Sequence, residues 1–130
     1  MTLSPDPAAR SQPLRVVVAD NDADALELVE VDLRLEGNDI VGSATGGMAA
    51  IALCEKLRPD MLVVDLRMPP GPDGLAVAAE LRALPDLRVV LYTNYRSVLV
   101  QERAEALGVT YLLKGDLRSL RAAVAGPGRA

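Results

Sequence analysis

Two acids, an amide, a hydroxyl and a lysine occupy comparable places along this chain. Asp20 and Asn21 follow the run VVVA, Asp65 follows MLVV, Thr93 closes RVVLYT and Lys114 follows YLL. Each stands where a short apolar stretch gives way to polar residues, so a fold that aligned the stretches would gather all five at one edge. Carboxylates are ionised at neutral pH. Two of them about 5 Å apart, at an effective dielectric near ~20, repel by roughly 3 kcal/mol. Such a pair needs a cation among its oxygens. A hard, oxygen-rich set with few protein ligands suits Mg²⁺, which keeps several of its waters.

The elements that must position these residues alternate five times. Short β-branched or apolar runs at 15–19, 39–43, 61–64, 88–92 and 109–113 predict strands. The stretches 23–37, 46–59, 74–84, 97–108 and 116–126 predict helices. Gly37, Pro59, Pro85 and Gly108 serve as their stops. Leu26, Val29 and Leu33 share one face of the first helix, and Met48, Ile51 and Cys54 one face of the second. Strands this apolar, with almost no alternation, are buried on both faces, as in a parallel sheet covered by helices. Right-handed crossovers then give an α/β domain with an open, doubly wound five-stranded (βα)5 sheet. Ligands bind such sheets beyond the carboxyl ends of the strands, the edge at which the five polar residues stand.

Composition narrows the function classes. The chain has 130 residues, enough for one domain. Net charge is −4 with no basic run, which argues against direct nucleic-acid binding. No apolar run reaches membrane-span length, and the start has no signal-peptide core, so a cytoplasmic protein is expected. With one cysteine and no histidine, an internal disulfide, histidine-based catalysis and histidine metal sites are excluded. Cys54 reads as a core thiol. Residues 1–13, with Pro5, Pro7 and Pro13, and residues 126–130 read as flexible tails around a domain at 14–125.

Three chemistries compete for the acidic stretch. Asp20, Asp22 and Asp24 match the first three ligands of an EF-hand calcium loop, but Ala25 and Val31 stand where its glycine and bidentate glutamate belong. Asp20-Asn21-Asp22 also resembles the opening of haloacid-dehalogenase phosphohydrolases, with Asp20 as nucleophile. The likeness ends there, because no late acidic pair for magnesium follows.

The third resemblance covers about residues 14–125. "ADN" after the first strand, "VVDLRMPPGPDGL", "VVLYTN" and "YLLKGD" in this order are similar to the receiver domain of bacterial response regulators. The last fragment is nearest in flavour to receivers of the LuxR-type subfamily. The resemblance implies a flavodoxin-like, chemotaxis-regulator-like sheet of strand order 2-1-3-4-5. It implies that Asp65 accepts a phosphoryl group from a sensor histidine kinase or phosphotransfer protein. It further implies Mg²⁺ held by Asp20, Asn21, Asp65 and the backbone carbonyl of Arg67. Lys114 and Thr93 would contact phosphoryl oxygens. Thr93 and Tyr111 would form a switch read by a downstream protein on the face of the fourth helix, fifth strand and last helix. The resemblance is also compatible with a homodimer. The apolar "SVLV" beginning the fourth helix fits such a contact. Self-catalysed phosphoryl acceptance and slow autodephosphorylation would be its only chemistry.

Four departures from the family's pattern stand out. Asn21 replaces the second acid of a pair, and Arg67 is large and charged. The stretch from Asp65 to Asp73-Gly74 is one residue longer, and Asn94 replaces a small residue. No DNA-binding segment lies in these residues, so a stand-alone receiver is expected. The alternatives are a degenerate receiver that binds partners without phosphate and, further off, the Asp20 phosphohydrolase. On the plainest structural reading, Asp20 merely caps the first helix.

Overall fold

The computed structural model describes residues 13–126. The tails expected at 1–13 and 126–130 lie outside the described residues, apart from Pro13 and Gly126. Five strands, β1 (Arg15–Ala19), β2 (Asp39–Ala44), β3 (Met61–Val64), β4 (Arg88–Thr93) and β5 (Thr110–Leu113), alternate with five helices. The helices are α1 (Ala23–Leu35), α2 (Gly47–Leu57), α3 (Gly74–Glu80), α4 (Val98–Ala106) and α5 (Leu117–Ala125). The strands form a parallel sheet in the order β2-β1-β3-β4-β5.

Near-continuous apolarity follows from burial on both faces. On one face Val17, Leu62, Val64 and Leu91 pack against Ala50 and Cys54 of α2, Val77 of α3 and Ala104 of α4. On the other, Val16, Val18, Val63, Val90 and Tyr92 meet Val29 and Leu33 of α1 and Leu120 and Val124 of α5. Each fully buried Val or Leu side chain contributes about 1.5–3 kcal/mol. Register then levels the strand tips. Ala19 pairs with Ala44 and Val64, Val64 with Leu91, and Thr93 with Leu113.

Three local expectations are corrected. The third helix ends at Glu80 and tightens into a 3-10 turn at Leu81–Ala83. Leu84 is extended because Pro85 crowds the helical region for the residue before it. Met48 lies outside the buried face of α2, which consists of Gly47, Ala50 and Cys54. The cause is Pro72: a β-carbon on residue 47 would lie 2.3 Å from the Pro72 carbonyl oxygen, so the helix turns its glycine there. The cap that the plainest structural reading gives to Asp20 belongs to Asp22, whose carboxylate accepts the Asp24 and Ala25 N–H groups. Cys54 is the core thiol anticipated, and burial pushes its pKa up to about 12.

Candidate functional site

Each site residue is held by the neighbouring strand tip. The Asp20 N–H donates to the Ala44 carbonyl (3.0 Å), Asp65 N–H to Ala19 (3.0 Å) and Lys114 N–H to Thr93 (2.8 Å). The ladder thus runs one residue past the strands, and the side chains emerge at one level. Because Asp22 serves as the cap, Asp20 is available for the site. Asp20 in turn accepts the Asp22 N–H at 2.9 Å. Asp65 Oδ1 accepts the Leu66 N–H at 2.7 Å, which fixes the carboxylate plane.

The cation required between the acids is the Lys114 ammonium. Its Nζ lies 2.6 Å from Asp20 Oδ2 and 3.0 Å from Asp65 Oδ2. Asp20 and Asp65 are both buried. Burial holds the Asp20 carboxyl above the usual carboxylate range, outweighing the hydrogen bond from Lys114, and the Asp65 charge adds to the rise. Burial would also lower the Lys114 pKa, but its hydrogen bonds to Asp20 and Asp65 together carry it above its ordinary value. The two directions agree once the charges are counted: two carboxylates share one ammonium, so another cation is welcome.

An open cleft of about 490 Å³ gives access to this cluster, lined by Asn21, Asp65, Arg67, Thr93, Asn94, Tyr95 and Lys114 among others. Of the residues singled out in the sequence, Asp20, Asp65 and Lys114 are in direct contact, and Asn21, Thr93 and Arg67 line the same cleft. Thr93 is buried, and its Oγ1 accepts the Tyr95 N–H at 3.2 Å. Among the described residues Arg67 reaches no acid. Its guanidinium lies over the Tyr95 ring, 4.6 Å from the centroid. Tyr111 stands off from the acids. Its hydroxyl donates to the Tyr95 carbonyl and accepts the Ser97 N–H. The lengthened loop keeps a helical exit, since the Asp73 carboxylate caps α3 through the Ala76 N–H.

Two tyrosines that the sequence did not flag matter here. Tyr92 is buried in the core, and its hydroxyl accepts the Gly115 N–H at 3.0 Å, fastening the turn that follows Lys114. Gly115 has φ +97, a conformation suited to glycine. Tyr95 is the floor for Arg67. An aromatic within an apolar strand and another in a polar loop look unremarkable in sequence, because the reach of their polar ends depends on neighbours distant in the chain.

The donor chemistry fits Mg²⁺. The Asp65 carboxylate and the exposed Asn21 amide line the cleft and Asp20 joins them through Lys114, while among the described residues no cluster of three acid, cysteine or histidine side chains forms a closed cage. A few oxygen ligands plus retained water is the Mg²⁺ habit. The calcium-loop reading fails on the same facts: Asp22 serves as the cap and Asp24 is exposed in the first turn.

A 2-1-3-4-5 parallel sheet with an acid–acid–lysine cluster beyond its carboxyl edge defines a phosphoryl-signalling α/β module. The response regulator receiver domain model matches residues 16–125, and the chain belongs to that family. It is 36% identical over 104 residues to the transcriptional regulatory protein PdtaR of Mycobacterium tuberculosis, covering 78% of this chain and 50% of PdtaR. The chain therefore spans about half the length of that relative. The receiver domain of the response regulator NarL from Mycobacterium tuberculosis superposes with a TM-score of 0.79 at 31% identity, covering 88% of this chain and 98% of that one. The receiver domain of AraT from Geobacillus stearothermophilus gives a TM-score of 0.77 at 32% identity, covering 88% and 92%. The fold and membership in two-component signalling follow. The phosphohydrolase and degenerate-module alternatives gain nothing from these matches. No helix among the described residues is long and apolar enough to cross a membrane.

Proposed function

We propose that this receiver takes a phosphoryl group onto Asp65 from a phosphohistidine of a sensor kinase or phosphotransfer protein. The observation that carries this reading is the Lys114 ammonium between Asp20 and Asp65 at the open end of the sheet. A carboxylate oxygen of Asp65 attacks phosphorus, the phosphorus–nitrogen bond of the donor breaks, and the imidazole leaves with the electron pair and takes up a proton. Phosphoryl transfer asks mainly for positioning and charge neutralisation. The Leu66 N–H orients the nucleophile. Lys114 is placed to follow the charge as it moves from carboxylate to phosphoryl oxygens, and Thr93 offers its hydroxyl to another oxygen.

Receiver domains generally bind Mg²⁺. Here Asp20, Asn21, Asp65 and the Arg67 carbonyl would hold the ion, which when bound neutralises negative charge on the transferring group. Asn21 contributes an oxygen without a charge, so weak affinity is expected. Thr93 and Tyr111 act as the switch. The surface of α4, β5 and α5 carries the output to a protein partner or a second copy, in a cytoplasmic setting. Val98 and Leu99 at the start of α4 are exposed and suit that contact.

The test is incubation with acetyl phosphate and Mg²⁺, followed by intact-mass and peptide mapping. The expected product is one acid-stable, base-labile adduct on Asp65. A folded protein that yields no adduct there overturns the reading.

A further inference from the structure

We propose that Arg67 is a positioning residue that latches the loop after β3 to the start of α4 through Tyr95, and that an oxyanion held beside Asp65 opens the latch. The release half of this inference rests on Asp65 as the acceptor; the latch half does not.

One charge beside the acids lacks a counter-charge among the described residues. Arg67 makes no ion pair among the described residues, although the buried Asp65 carboxylate lines the same cleft and the buried Asp20 shares its Lys114 partner. Lys114 holds both of those acids, so the guanidinium rests on an aromatic face instead. Such a contact is modest at an exposed site. A phosphoryl group offers a guanidinium paired, charge-assisted hydrogen bonds, which are stronger. Arg67 therefore has a weak resting partner and a strong prospective one within the same cleft.

The resting partner is wired to the rest of the molecule. The Tyr95 N–H donates to Thr93 Oγ1 at 3.2 Å, and the Tyr95 carbonyl accepts the Tyr111 hydroxyl at 2.5 Å. That hydroxyl accepts the Ser97 N–H at 3.1 Å, and the Ser97 side chain caps α4 through the Val100 N–H at 3.2 Å. A continuous run of contacts thus leads from the loop after Asp65 to the first turn of α4, where Val98 and Leu99 are 72% and 57% exposed. Holding the Tyr95 ring steadies its backbone, and with it the acceptor on which Tyr111 and Ser97 depend.

The test is amide hydrogen exchange followed residue by residue by NMR, with and without beryllofluoride and Mg²⁺ as the probe. Five proteins are compared: wild type, Arg67→Gln, Arg67→Lys, Tyr95→Leu and Tyr95→Phe. Without the probe, Arg67→Gln and Tyr95→Leu should speed exchange of the Ser97 amide by roughly two- to fivefold, the weight of an exposed cation–π contact. Arg67→Lys and Tyr95→Phe keep a cation and a ring, and should stay near wild type. β3 amides should remain protected in all five, which separates unlatching from unfolding. With the probe, the wild-type Ser97 amide should quicken while Arg67→Gln gains little more. Equal Ser97 exchange in all five proteins without the probe overturns the latch. A probe that shifts resonances around Asp65 but leaves Ser97 unmoved in wild type overturns the release alone. A probe that shifts nothing around Asp65 overturns the acceptor reading and the release together.

Discussion

Lys114 and Arg121 both hold a buried aspartate, yet they leave it in opposite conditions. Between α1 and α5, Arg121 grips Asp32 through Nε at 3.1 and 3.2 Å and through Nη2 at 2.6 Å. The guanidinium meets the buried carboxylate with a planar fork that engages both of its oxygens, while the exposed Glu36 carboxylate stands 4.0 Å from Nε. At the sheet edge, one ammonium serves two carboxylates through a single oxygen of each. The first pair is closed and needs nothing more. The second retains excess negative charge and open acceptor positions beside a cleft. Burial of an acid therefore does not by itself mark chemistry here; incomplete neutralisation does.

The contrast breaks most sharply on the acids themselves. Asp65→Asn should abolish the phosphoryl adduct completely, whereas Asp32→Asn should leave it stoichiometric at temperatures where the protein is folded. Loss of the adduct in both would erase the distinction. Next in size is stability. Arg121→Met strands the Asp32 carboxylate, and an unpaired buried charge is costly, so thermal melting should fall by several degrees. Adding Asp32→Leu removes the stranded charge and should recover most of the loss. A double variant no more stable than Arg121→Met would show that the closed pair has no such role.

The alkaline limb of stability sharpens the comparison further. The folded-state pKa of Lys114 lies above the ordinary 10.5. Its stabilising contribution is complete below pH about 10.5 and is lost as pH rises through the folded value. Denaturant midpoints for wild type should fall in that window relative to Lys114→Met; parallel profiles would refute the assignment. The smallest effect is expected at the rim. Asn21→Asp adds a charge to the metal ligands and should tighten Mg²⁺ severalfold in a calorimetric titration, with no change in melting temperature when metal is absent. Equal affinities would remove Asn21 from the ligand set.

The two regions were not equally legible in the sequence. Asp20, Asp65, Thr93 and Lys114 announce themselves because each ends an apolar run, and a parallel sheet places such ends together. Strand order comes from the family resemblance, because the apolar pattern alone gives a parallel sheet without saying which strand is central. Asp32 gives no such signal. It sits within a helix among other acids, and its partner lies 89 residues away. The Arg67–Tyr95 contact was hidden for a similar reason: Arg67 is recognisable as out of place two residues past Asp65, but only the loop geometry shows which partner it takes. Local rules failed where Pro85 shortened α3 and where Pro72 turned the face of α2, both cases of one residue's backbone dictating to another element.

The lengthened stretch after Asp65 is pinned at both ends. The Gly74 N–H donates to the Leu66 carbonyl at 2.8 Å, and a β-carbon on residue 74 would come within 2.3 Å of the Asp65 carbonyl oxygen. The helix therefore docks flush against the main chain of Asp65. Within the span Met68 is buried in the core and Pro72 lies against Gly47, which leaves the exposed Pro69, Pro70 and Gly71 as the stretch open to change. A protein engineer can rewrite or extend that stretch while Asp65 keeps its station.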